Sequence, residues 1–150
     1  MTRWFDDFAV GETFTTAERE ITEAMILDFA RDYDPQPFHT DPAAAKESIY
    51  GGLIASGFQT LALGFRLVWD TGVLAASSMG SPGFDELRWL KPVRAGDRLR
   101  VEAAVIGLAP SRSKPDRGIV RIAYRYLDQR GEPVLTCAMM HLLRRRAPSL

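Results

Sequence analysis

The chain is poor in almost every residue pattern that would mark a covalent framework or a specialised surface. It has one cysteine, Cys137, so no internal disulfide is possible. A reducing, cytoplasmic setting suits such a chain. Cys137 lies in an apolar run, where a free thiol behaves as a small hydrophobe and not as a nucleophile. Histidine is nearly as scarce. His39 and His141 are the only two, and neither has a carboxylate-rich neighbourhood in sequence, so no metal centre is expected. Neither sign of charge is in excess: 19 Lys plus Arg stand against 19 Asp plus Glu. That balance argues against a general nucleic-acid or polyanion binder. No apolar run is long and clean enough to span a membrane, since Leu53 to Val68 is interrupted by Ser56, Gln59 and Arg66. Met1 to Asp7 carries no signal-peptide core. There is no internal repeat and no linker composition. With 150 residues and an ordinary apolar fraction, a single domain over 1–150 is expected.

What is present follows a clear order. Phe5 to Gly11 reads as a loop and Glu12 to Ile21 as a threonine-rich strand. Thr22 is a good N-cap for a helix that runs to about Asp32. Pro35 and Pro37 forbid its continuation, which predicts an extended, irregular segment over Asp34–Thr40. Asp41-Pro42 reads as N-cap plus first helical residue of a short helix to Glu47. The longest helix is predicted from Ser56 or Gly57 to Thr71, closed by Gly72. Its apolar residues cover most of its circumference, which predicts burial on most sides. Strands follow at Phe84–Leu90, Asp97–Leu108, Gly118–Leu127 and Val134–Arg144. Helices first and strands after predict an α+β fold with an antiparallel sheet. A long apolar helix needs that sheet curved about it, which is the outline of a hot-dog fold.

The chemistry concentrates in Asp34-Pro35-Gln36-Pro37-Phe38-His39 and in the glycine-bounded helix start at Ser56-Gly57. A carboxylate and an imidazole, which titrates near neutral pH, are suited to handling a proton and a water. A helix N-terminus at Gly57 offers an unpaired N–H and a positive dipole end to a carbonyl oxygen. Glycine there also allows close approach to the backbone. Plainer roles compete: a backbone-bonded structural histidine, an Asx turn at Asp34, a packing glycine at Gly57. Ser56 reads as a helix cap before it reads as a nucleophile, because no Gly-x-Ser-x-Gly elbow exists. Asp41 reads as a cap, His141 as core packing, and Phe38, Phe65 and Trp69 as core before acyl tunnel. The basic clusters Ser111–Arg117 and Arg144-Arg145-Arg146 read as a solvated loop and a solvated tail.

These residues resemble the motif of the MaoC-like acyl dehydratases, the group that includes the (R)-specific enoyl-CoA hydratases. The motif is Asp-x-Asn-Pro-x-His followed by a glycine-rich helix start. Asp34, Pro37 and His39 match it, and Gly57 falls at its oxyanion glycine. Leu90-Lys91-Pro92-Val93-Arg94-Ala95-Gly96-Asp97 is similar to its strand-turn-strand signature. The resemblance extends from Phe5 to Leu143. Gln36 is the departure, standing where the family has asparagine. The resemblance implies a hot-dog fold and reversible hydration of a trans-2-enoyl-CoA to an (R)-3-hydroxyacyl-CoA. Asp34 and His39 would be catalytic, and Gly57, Ser56 and Gln36 would be substrate-binding. No cofactor is implied beyond the CoA thioester substrate itself. A homodimer is implied, with neither nucleic acid nor membrane as partner; an open sheet edge also calls for a second copy. A hot-dog acyl-CoA thioesterase and a non-catalytic acyl-CoA-binding subunit are the competing readings.

Overall fold

In the computed structural model, which describes residues 3–147, period-two alternation in the second half of the chain builds one antiparallel sheet. The ends of the expected 1–150 domain, residues 1–2 and 148–150, lie outside the described residues. The strands are β1 (Thr13–Thr15), β2 (Arg19–Glu20), β3 (Gly83–Trp89), β4 (Arg98–Pro110), β5 (Arg117–Leu127) and β6 (Pro133–Arg144). Their spatial order is β1-β4-β5-β6-β3, with β2 also on β4. Along β5, Val120, Ile122, Tyr124 and Tyr126 are buried, while Arg121, Ala123 and Arg125 take the other face.

The strand expected over Glu12–Ile21 is two short strands. Thr16 causes the break. Its N–H still donates to the Val101 carbonyl at 2.9 Å, but its hydroxyl accepts the Val101 N–H at 2.9 Å and donates to the Ala17 carbonyl at 2.8 Å, so a side chain takes over half of the backbone pairing there.

Helix α1 (Glu23–Tyr33) is capped by Thr22, whose hydroxyl accepts the Met25 N–H at 3.2 Å. The segment expected to be irregular contains one helical turn, α2 (Pro37–Thr40). Proline ends α1 as expected, but at position N1 it lacks only an N–H that the helix leaves unpaired, so Pro37 also starts the next turn. Helix α3 (Pro42–Glu47) begins as expected, with Asp41 accepting the N–H groups of Ala43 and Ala44. Helix α4 (Gly57–Asp70) is capped by Ser56 and followed by Gly72 at φ +79°.

Helix α4 lies on the buried face of the sheet. Leu63, Leu67 and Val68 join Val101, Val105 and Ile122 in the core. Gly64 lies so close to the Tyr126 ring that a Cβ would overlap it, and the Tyr126 hydroxyl donates to the Leu61 carbonyl at 3.1 Å. This is the expected hot-dog arrangement of a sheet over a long helix. The burial is one-sided, however. Phe58 is 61% exposed, and Phe65 and Trp69 are exposed as well, so these two are not the core residues they were expected to be. A six-stranded sheet covers only one side of the helix. The uncovered apolar row continues through Phe58 onto Trp89 of the edge strand β3, their rings meeting edge-on at 6.0 Å.

The basic C-terminal cluster is not a free tail. Arg145 pairs with Asp6 and Arg146 with Asp7, in the segment that forms a 3-10 turn over Phe5–Asp7. Among the described residues, no helix is long and apolar enough to cross a membrane.

Candidate active site

Asp34 is the residue at which α1 stops, and Pro35 turns the chain away from the helix axis. The α2 turn then carries His39 back beneath Asp34. His39 is buried, and its Nδ1 lies 2.7 Å from the Ile54 carbonyl. A carbonyl only accepts, so Nδ1 carries a proton and Nε2 is left facing Asp34. The Nε2 to Asp34 Oδ2 distance is 3.3 Å. Phe38 packs edge-on against the imidazole, with ring centroids 4.5 Å apart.

Asp34 is held on both oxygens. Gln36 Nε2 donates to Oδ1 at 2.7 Å and Ser56 Oγ donates to Oδ2 at 2.7 Å. Burial by itself would raise the carboxyl pKa. The hydrogen bonds from Ser56 and Gln36, with the charge of His39, outweigh it and bring the pKa below the ordinary aspartate value. Asp34 is therefore ionised at neutral pH, an acceptor beside an imidazole of fixed tautomer.

Ser56 links this pair to α4, because the same hydroxyl accepts the Phe58 N–H at 3.3 Å. Gly57 is the first residue of α4, and its N–H has no partner within the helix. It faces the same cavity as Asp34 and His39. The indole of Trp89 covers its Cα so closely that a Cβ would overlap Nε1 and Cε2. Glycine is required there by contact with a neighbour, and not by its backbone angles.

The cavity has a volume of about 360 Å³. Asp34, Gln36, His39 and Gly57 supply its polar side, and Tyr50, Phe58 and Trp89 its apolar side. Lys91 anchors one wall. Its Nζ bonds Asp128 at 2.7 Å and Glu132 at 2.5 Å, tying the Leu90–Pro92 segment to the β5–β6 turn.

Four of the five residues expected at the site thus line one cavity. Ser56 is fully buried and does not line it, so the hydroxyl expected to meet substrate stands behind Asp34 instead. Gln36 lines the cavity, but one amide hydrogen is committed to Asp34. His141 is elsewhere, buried in the core with Nε2 at 2.8 Å from the Tyr124 hydroxyl. Cys137 is also buried, its thiol pushed up to about 11 by burial, in keeping with a small hydrophobe. Trp89, Tyr50 and the Ile54 carbonyl were missed by sequence reasoning. Trp89 and Tyr50 are aromatic residues beside recognisable motifs, which is a signal of sorts. A backbone carbonyl that fixes a tautomer leaves none.

Residues 7–123 match the MaoC like domain. The crystal structure of a MaoC-like dehydratase from Rhodospirillum rubrum is similar with a TM-score of 0.91 at 40% identity, over 98% of this chain and all of that one. The (R)-hydratase PhaJ1 from Pseudomonas aeruginosa, unliganded, has a TM-score of 0.70 at 25% identity, over 98% of this chain and 92% of its own. The mesaconyl-CoA hydratase of Cereibacter sphaeroides is 32% identical over 147 residues, which is 96% of this chain and 42% of that protein. The chain thus spans less than half the length of that relative.

Proposed function

The chain belongs to the MaoC-like dehydratase family, and on that premise we propose that it reversibly hydrates a trans-2-enoyl-CoA to an (R)-3-hydroxyacyl-CoA. The observation that carries this reading is Asp34 Oδ2 facing His39 Nε2 at 3.3 Å, in the cavity that Gly57 also lines. A water touching both groups gives one hydrogen bond to the carboxylate, which orients it. Its other proton passes to Nε2 as the oxygen adds to C3 of the enoyl thioester. Charge then moves to the thioester oxygen, where the Gly57 N–H and the α4 dipole stabilise it. The imidazolium, next to an ionised Asp34, returns the proton to C2. The low pKa of Asp34 makes it a poor base and a good counter-ion, so it orients and His39 transfers.

The likeness to PhaJ1 supports the (R) outcome, and mesaconyl-CoA hydratase, by its name, supports a CoA thioester as substrate. No step needs a metal or an organic cofactor. The apolar row of Phe65, Trp69, Phe58 and Trp89 supports a homodimer with this face covered, since monomers rarely leave such contiguous surface in water. A cytoplasmic location fits the lone buried thiol.

Crotonyl-CoA tests the proposal. Loss of conjugated-thioester absorbance without free thiol is expected, and both Asp34→Asn and His39→Ala should reduce the rate by about 10²–10⁴-fold. Release of free CoA would make the chain a thioesterase. Activity indifferent to both substitutions would remove the pair from the mechanism.

A further inference from the structure

The two basic clusters that lie far apart in sequence meet in the fold. Arg117 and Arg144 are paired across β5 and β6, and the Arg145 N–H donates to the Asp116 carbonyl at 2.7 Å. Together with Trp4 they wall a cavity of about 880 Å³ at the end of the sheet remote from Asp34. Arg117, Arg144, Arg145 and Arg146 all line it, and Trp4, Met79 and Pro115 supply its apolar surface. Arg145 and Arg146 are held in place by Asp6 and Asp7, Arg117 by Asp116. Among the described residues no carboxylate pairs with Arg144. Asp116 lines the cavity too, so three of the four guanidinium groups are matched by a carboxylate, and Arg144, beside the Trp4 indole wall, supplies the cationic charge left over for an anion.

We propose that this cavity binds the phosphates of a nucleotide, with Arg144 and Arg117 on the phosphates and the base against Trp4. Two sources share that chemistry: the nucleotide end of a CoA thioester and a free nucleotide. The first rests on the hydratase reading above. Nine residue steps along β6 separate the Leu135 and Arg144 ends, roughly 30 Å of strand. Within one chain that separation sets this cavity well apart from the Asp34–His39 pair, so the substrate source requires a second copy that brings its own pair closer.

Calorimetric titration of the full chain with adenosine 3′,5′-bisphosphate tests the site without any turnover. Saturable binding that weakens with added salt is expected, and Arg144→Glu, an exposed position, should weaken it by about tenfold or more. Trp4→Ala should weaken the bisphosphate while leaving inorganic pyrophosphate binding in place. No saturable binding, or binding unchanged in Arg144→Glu, overturns the proposal. The source is read separately. A KM raised in Arg144→Glu for crotonyl-CoA but not for crotonyl-pantetheine assigns the site to the substrate, and KM values unchanged for both, with nucleotide binding lost, assign it to a free nucleotide. Because binding is measured on its own, an inactive protein that still binds the bisphosphate would fail the hydratase reading and keep this one.

Discussion

Replacing Ser56 by alanine removes one oxygen from a fully buried position, and the loss should be felt twice. The hydroxyl donates to Asp34 Oδ2 at 2.7 Å and accepts the Phe58 N–H at 3.3 Å. Losing an N-cap costs about 1 kcal/mol. Losing a hydrogen bond to a charged group costs about 1.5–3 kcal/mol. The Asp34 side chain is only 11% exposed, so water replaces little of that bond. The two losses share one atom and need not add fully, which leaves a destabilisation of roughly 2–4 kcal/mol. Urea unfolding would read it as a lower midpoint at unchanged slope. The second effect is on titration. Burial pushes the Asp34 pKa up, and the Ser56 bond is the strongest of the groups that pull it down. Without that bond the pKa rises. Asp34 stabilises the folded chain above the ordinary aspartate pKa, and this is lost as pH falls through the lower folded value. In Ser56→Ala the loss begins at higher pH, and the Asp34 carboxyl titration followed by NMR moves the same way. Stability within about 0.5 kcal/mol of the parent, with the Asp34 titration unmoved, would refute the claim that Ser56 holds Asp34.

Three further outcomes follow from other contacts. Gly57→Ala places a methyl inside the Trp89 indole, so it should cost about 1–3 kcal/mol in unfolding experiments and lower kcat by displacing a wall of the cavity. Gln36→Ala removes the donor to Asp34 Oδ1, so the Asp34 carboxyl should titrate at higher pH by NMR while the exposed location keeps the stability loss under about 1 kcal/mol. Burial depresses the His141 pKa to about 4 from 6.5, so the unfolded chain takes up a proton that the folded chain refuses. Stability should therefore fall by about 3 kcal/mol as pH drops from neutrality through that window, and His141→Leu should flatten this part of the profile.

The helices and strands were legible where local pattern decides them. Thr22, Asp41 and Ser56 cap the helices that they were expected to cap. The alternation of Val120 to Tyr126 produced the strand it predicts. The α2 turn was missed for a local reason, Pro37 at N1, and the other misses came where surrounding structure intervened. Thr16 breaks a strand because Val101, 85 residues away, uses its hydroxyl. Phe65 and Trp69 face outward because burial of a helix depends on how much sheet surrounds it, and six strands reach only one side. Of the candidate site, Asp34, His39 and Gly57 were legible as a motif. The role of Ser56 was not, since the bond to Asp34 crosses 22 residues.

By itself, then, the sequence determined which residue types are available for proton transfer, where α1, α3 and α4 begin, and that no disulfide can hold the chain. Those are properties of short segments and of composition. Only the tertiary structure decided that Asp34 is ionised between two donors, that His39 carries its proton on Nδ1, and that Gly57 is glycine because of Trp89. It also decided that two solvated-looking basic runs share one cavity. Protonation state, tautomer and close contact depend on distances of a few ångströms between residues remote in sequence, and a chain acquires those distances only when it folds.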